Sequence, residues 1–177
     1  MRKIQFACGG CRIEGFENYD MDVDITKPLP RDRFPDGSVD LIVCEMGLEH
    51  IAPREAWSFL DECLRVLKPG GLIRITIPDF SLSWRLKDPD YARVNGGVTG
   101  ASTWKEHLRS ILFCHGHAGL WNSQLLQDVM EAIGFRDCRQ HRAGESQRPE
   151  FVDIEQHWHS VGRACAYSES GCVEGVK

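Results

Sequence analysis

The chain has 177 residues, 42% of them hydrophobic and 27% charged, with a formal net charge of −5 and a pI of about 5.8. That composition belongs to a globular protein long enough to bury a core, and its acidic balance argues against duplex nucleic acid, which needs a basic face to neutralise phosphate. No apolar run approaches the ~20 residues that cross a bilayer, and glycines and polar residues follow the basic start MRKIQFACGG, so neither a membrane span nor a signal peptide is expected and a cytoplasmic location is.

Lys3–Ala7 is a short apolar run that stops at Gly9-Gly10, the pattern of a strand entering a tight turn. Phe16–Asp20 reads as a second short strand. Pro28, Pro30 and Pro35 forbid regular structure in the stretch that follows. Val39–Cys44 is β-branched and almost continuously apolar, as in a strand covered on both faces. In Ala52–Lys68, residues Ala56, Phe59, Leu60, Cys63, Leu64 and Leu67 recur at helical spacing. Pro53 suits the first turn of that helix, and Pro69-Gly70-Gly71 ends it. Leu72–Ile77 alternates as a strand does. Strand, helix and strand in succession make a βαβ unit with parallel strands and a right-handed crossover.

Residues 81–121 hold several glycines and three tryptophans with little periodicity, which predicts a loop with a short helix near Trp104–Phe113. Asn122 can cap a further helix, with Leu125, Leu126, Val129, Met130 and Ile133 on one face and Gly134 after it. Arg136–Arg142 and Cys172–Lys177 read as closing strands. The alternation predicts a single α/β domain with a mostly parallel, doubly wound sheet. Its cofactor-binding half would be residues 1–80, its substrate or lid region 81–121, and its last helix and closing strands 122–177. In such sheets ligands bind at the carboxyl ends of the strands, where the strand order reverses.

The eight cysteines are expected to be reduced, since several lie inside apolar segments and no export signal precedes them. Cys8 and Cys11 have the spacing of a redox pair, but no amphipathic helix follows them to lower a thiol pKa. With Cys114, His115 and His117 they offer zinc-type ligands at a spacing that is not that of a finger. No metal ligands are assigned on this basis.

The strand ends carry the chemistry. Ala7-Cys8-Gly9-Gly10 lets the backbone approach a ligand closely. Asp20 places a carboxylate where it can accept hydrogen bonds from a ribose diol. Asp24 and Ile25 set a carboxylate beside an apolar wall, suited to an adenine. Cys44-Glu45-Met46 ends the third strand, ahead of Gly47-Leu48-Glu49-His50-Ile51. Each also has a plainer reading, as a turn glycine, a solvated strand end or a helix cap.

KIQFACGGCRIEGFENYD, DITKPLP, FPDGSVDLIVCEMGLEHI, LRVLKPGGLIRITIPD and GHAGLWNSQLLQDVMEAIGF, in that order, resemble segments of small bacterial class I S-adenosylmethionine-dependent methyltransferases of the type 11 kind. The resemblance covers roughly residues 3–80 and 114–142. It implies a Rossmann-like sheet with helices on both faces. It also implies S-adenosyl-L-methionine as cofactor and S-adenosyl-L-homocysteine as product. The residues implied to hold the cofactor are Ala7, Cys8, Gly9, Gly10, Asp20, Met21, Asp24, Ile25, Cys44, Glu45 and Met46. Two departures stand out. Ala7 replaces the family's usual glycine, and residues 8–15 are too few for a parallel crossover containing a helix, so the first helix is expected to be missing or reduced.

The function so implied is methyl transfer to a small-molecule acceptor by a monomer or homodimer. His117, then His50 and His115, are the candidate bases. Trp84, Tyr91, Trp104 and Trp121 are candidate acceptor walls, with packing of the loop onto the sheet as the alternative. A non-catalytic protein that keeps the fold as a binding scaffold is the competing class, and Cys/His metal or redox chemistry is a third.

Overall fold

The fold is that of a computed structural model, which describes residues 1–87, 103–113 and 115–177. Six strands form one sheet: β1 (Lys3–Phe6), β2 (Glu17–Tyr19), β3 (Val39–Glu45), β4 (Leu67–Pro78), β5 (Arg136–Arg142) and β6 (Ser170–Val176). Their order is β2-β1-β3-β4-β6-β5. Neighbours from β2 to β4 run parallel, and β6 runs antiparallel to both β4 and β5. The chain leaves β1 toward β2 on one side and then returns to β3 on the other, so the strand order reverses at β1.

Among the described residues the α-helices are α1 (Pro53–Val66), α2 (Trp104–Phe113), α3 (Ser123–Ile133) and two short ones, α4 (Trp158–Val161) and α5 (Arg163–Glu169). Helix α1 begins where Glu55 accepts from the Ala52 amide at 2.9 Å, and it buries Ala56, Phe59, Leu60, Cys63 and Val66. It ends two residues earlier than the apolar spacing predicts. Leu67 is already extended and pairs with Val39, while Leu72 pairs with Leu41. Pro69-Gly70-Gly71 is therefore a bulge inside β4, with Gly70 at φ +79 in the left-handed region open to glycine. The Asn122 side chain caps α3 by accepting from the Leu125 amide at 2.7 Å, and Gly134 ends it. Leu126, Val129 and Met130 are buried on α3, but Leu125 falls outside its apolar face and is exposed.

The strands alternate between the two sheet faces. On the first face Ile4, Phe6, Ile42, Cys44, Ile73 and Ile75 pack in one core with residues of α1 and α3. On the second, Leu41 and Val43 pack with Ile13, Phe151 and Ile154. Phe151 comes from a 3-10 turn, Pro149–Phe151, and Ile13 from the connection between β1 and β2. That connection carries turns but no helix. Gln5 and Asn18 sit opposite each other in the β1–β2 register and hold it. The Ile13 amide lies 2.9 Å from Gln5 Oε1 and 3.0 Å from Asn18 Oδ1. Their amide groups in turn donate to the carbonyls of Cys11, Ile13 and Phe16. Two side-chain amides, the buried Gln5 and the half-buried Asn18, thus stand where a parallel crossover normally uses a helix.

The rest of the second face is polar inside. Arg74 is fully buried and donates to Glu155 Oε1 at 2.5 Å and to Glu174 Oε1 at 2.6 Å. Its remaining donors reach the carbonyls of Glu145 and Arg142. Glu155 also accepts from the Gly144 amide, and Glu174 from Arg148. The network ties β4 and β6 to the chain after β5. Removing the guanidinium leaves two buried carboxylates short of their counter-charge, so Arg74→Met is expected to lower stability by about 3–5 kcal/mol. Urea unfolding checks this, and an unchanged midpoint would contradict it.

Candidate active site

A cleft of about 590 Å³ opens at the carboxyl ends of β1, β2 and β3, at the point where the strand order reverses. Its size is that of a small-molecule site. Val23, Ile25 and Ile51 give it apolar walls, and Asp20 and Asp24 supply its carboxylates. A larger cavity of about 820 Å³ lies past the end of β4 among Asp79, Ser123, Gln140 and Arg142. There the Asp79 carboxylate is already engaged by Ser81 and Ser123, and the neighbouring strands β4, β6 and β5 pair antiparallel.

The floor of the smaller cleft is built from unusual backbone. Ala7 (φ +54) and Met46 (φ +50) are both non-glycine residues in the left-handed region, each just past the end of its strand. Such conformations cost an L-residue about 1–2 kcal/mol and collect at functional sites. Gly47 lies against them: a Cβ there would come 2.4 Å from the Ala7 Cβ and 3.0 Å from Cys44 Sγ. The two strand ends approach closely because position 47 has no side chain.

Seven of the eleven residues expected at the cofactor line this cleft: Ala7, Gly9, Asp20, Met21, Asp24, Ile25 and Met46. The Met21 side chain is 92% exposed at its edge. Asp24 accepts from the Thr26 amide and hydroxyl and pairs with Lys27 at 2.6 Å, so its carboxyl is held down to about 2, chiefly by Lys27. The other four are elsewhere. Cys8 is buried beside the β1–β2 connection, with its amide bonded to the Tyr19 carbonyl. Gly10 is exposed. Cys44 and Glu45 follow the alternation of β3 to opposite faces, Cys44 into the core under α1 and Glu45 to the second face. There Glu45 accepts from the amides of Gln156 and His157 at 2.7 and 3.0 Å. It fastens a loop and does not touch the cleft. Val23, Thr26, Gly47 and Ile51 were not singled out from the sequence, although each adjoins a residue that was.

The histidines fall in a row. His50 lines the cleft, His117 packs edge-on against it with ring centroids 4.9 Å apart, and His115 lies 5.7 Å beyond His117 and within 3.1 Å of the Ser110 hydroxyl. Glu49 shares their neighbourhood. It is 2% exposed, and its carbonyl accepts from the amides of Ala118 and Gly119, which brings His117 to the turn after β3. Trp121 packs in the core and does not face the cleft. Tyr91 and Cys114 lie outside the described residues, as do the side chains of Trp84 and Trp104. Cys8 and Cys11, like all seven described cysteines, are free thiols. Cys11 Sγ faces Ser160.

Residues 17–75, which include β2, β3 and α1, match a family model described as a methyltransferase domain. The fold is that of the class I methyltransferases. A S-adenosylmethionine-dependent methyltransferase from Archaeoglobus fulgidus superposes with a TM-score of 0.57 at 16% identity, over 99% of this chain and 86% of that one. A possible histamine N-methyltransferase from Thermotoga maritima gives 0.55 at 15% identity, over 99% and 82%. Phosphoethanolamine N-methyltransferase 2 from Haemonchus contortus, in complex with S-adenosyl-L-methionine, gives 0.55 at 14% identity, over all of this chain and 48% of that one. At these identities the likeness is one of fold. No curated protein matches the sequence. The sheet is of that fold, and the connection after β1 carries no helix, as the sequence implies.

Two outcomes follow from the strand ends. Ala7→Gly relieves a left-handed alanine, and the relief less glycine's own entropy cost should raise stability by roughly 0.5–1 kcal/mol. Gly47→Ala should instead lower it by about 1–3 kcal/mol through the clash with Ala7. Opposite shifts of the urea midpoint check the pair; shifts of the same sign would contradict the geometry. A third concerns pH. Burial pushes the Glu45 carboxyl up to about 7. A folded pKa above the ordinary value of 4.5 means the group's contribution to stability is full below pH 4.5 and is lost as pH rises through about 7. Glu45→Gln should flatten that part of the stability-against-pH curve, measured by denaturation at several pH values.

Proposed function

We propose that the chain binds S-adenosyl-L-methionine in the cleft beside β1 and transfers its methyl group to a small-molecule acceptor. The observation that carries this reading is the cleft's position and lining: a carboxylate at the end of β2, apolar walls beyond it, and close-packed backbone at the ends of β1 and β3. The lining fits the cofactor. Val23, Ile25 and Ile51 suit the faces of an adenine, Asp20 suits a ribose diol, and Met21 and Met46 suit a thioether-like chain. The cofactor has no phosphate, so a missing helix N-terminus after β1 removes no essential partner. The Haemonchus enzyme, solved with the same cofactor, supports the assignment.

When bound, the cofactor supplies a methyl group already activated by the positive sulfonium. The chain's own task is to hold that group in line with a nucleophile and to exclude water. The Ala7 and Met46 turns and Gly47 form the floor for this, and Met21 lies exposed at its edge. Of the three histidines considered, His50 is the one we assign to the acceptor's side, because it lines the cleft. His117 backs it, and His115 is turned to Ser110.

Isothermal titration with S-adenosyl-L-homocysteine tests the reading. Saturable one-to-one binding is expected. Asp20→Ala removes a charge-assisted hydrogen bond, worth about 1.5–3 kcal/mol, and should weaken binding by about tenfold or more. No binding to folded wild-type protein would refute the cofactor assignment; binding unchanged in Asp20→Ala would refute only the role of Asp20.

A further inference from the structure

The turn after β3 holds a group that methyl transfer does not use. Glu49 is buried, yet Glu49 Oε2 has no hydrogen-bond partner. Its other oxygen is 3.8 Å from His50 Nε2, beyond hydrogen-bond distance. A buried carboxylate is ordinarily fully bonded, and an unpartnered one needs a reason.

We propose that Glu49, His50 and His117 bind a divalent transition-metal cation at the edge of the cleft. One ligand atom from each lies within 4.8 Å of the other two, and among the described residues no other group of three meets that condition. Metal bonds near 2.1 Å bring ligands to on the order of 3.5 Å from one another, so the side chains must close by about 1 Å. His50 is half-exposed and can make that movement, and the cleft beside it is the entry path. The backbone is prepared for the site: the 3-10 turn Leu48–His50 carries two ligands, and the two amides bonded to the Glu49 carbonyl bring in the third.

The donor set selects the class of ion. Two imidazoles and one carboxylate suit zinc, iron or manganese, whereas magnesium and calcium favour all-oxygen shells. Three protein ligands leave coordination positions open, as in sites that also hold a substrate. A cation uses the lone pairs a base would use, so His50 would serve as ligand and not as proton acceptor. An acceptor with an oxygen or nitrogen donor would then be the kind this cleft takes. That last step rests on the methyl-transfer reading; cation binding does not.

Zinc chloride titrated calorimetrically into chelator-treated wild-type protein tests the proposal, with cobalt(II) absorption reporting the donor set. The expected result is one cation per chain and a rise in melting temperature on adding zinc. His117→Ala and Glu49→Gln should each weaken zinc about tenfold or more, and His117→Ala should remove the thermal shift. Should Glu49→Gln fail to fold, His117→Ala still decides. The double variant Cys8→Ser, Cys11→Ser should bind as wild type does. Absence of zinc binding to the folded protein, unchanged binding in His117→Ala, or loss confined to the cysteine variant would each overturn the proposal. None of these results depends on whether S-adenosyl-L-homocysteine binds.

Discussion

Everything at the cleft depends on how β1 is joined to β2. Parallel neighbours need a crossover, and a crossover of residues 7–16 is too short to carry a packed helix. The chain meets this constraint with side-chain amides. Gln5 and Asn18, side by side in register, bond the loop's backbone at Cys11, Ile13 and Phe16, and so do what a helix's own ladder would do. With the loop held, Ile13 reaches Leu41 and Val43, and Asp20 reaches the end of a strand adjacent to β1. Were the two amides lost, the backbone groups they satisfy would be left partly buried and unpaired.

A β1–β2 connection without a helix has a consequence at the other end of the chain. The second face still has to be covered, and Phe151 and Ile154 cover it. The segment bearing them is tied down by carboxylates, not by apolar area: Glu155 through Arg74, and Glu45 through the amides of Gln156 and His157. This explains why a buried arginine sits in the middle of β4. The polar network orients a loop that a helical layer would otherwise make unnecessary.

Most of the fold was legible because its signals are local. Helix α1 shows in the spacing of Ala56, Phe59, Leu60 and Cys63, α3 in Asn122 and Gly134, and β5 in its exact span. The end of α1 differs from its apolar spacing because a strand register, not a propensity, stops it at Val66. The lining of the cleft is legible where residues follow a strand end directly, as at Ala7, Asp20 and Met46. Cys44 and Glu45 do not line the cleft because a strand's last residues still alternate, and sequence alone does not reveal which one faces it. Glu49 carries no signal of its own in the sequence, since its meaning depends on His117, far along the chain. That pairing becomes visible only when the amides of Ala118 and Gly119 are seen on the Glu49 carbonyl.

The central claim is that a methyltransferase sheet with an abbreviated first crossover still builds its cofactor cleft. The most direct measurement is a crystal structure of the protein grown with S-adenosyl-L-homocysteine. The account predicts density for the ligand between Asp20 and Met46, with the ribose at the Asp20 carboxylate and Gln5 and Asn18 still holding the Ile13 amide. Ligand density at the cavity beyond β4, or an empty cleft at saturating ligand, would contradict it.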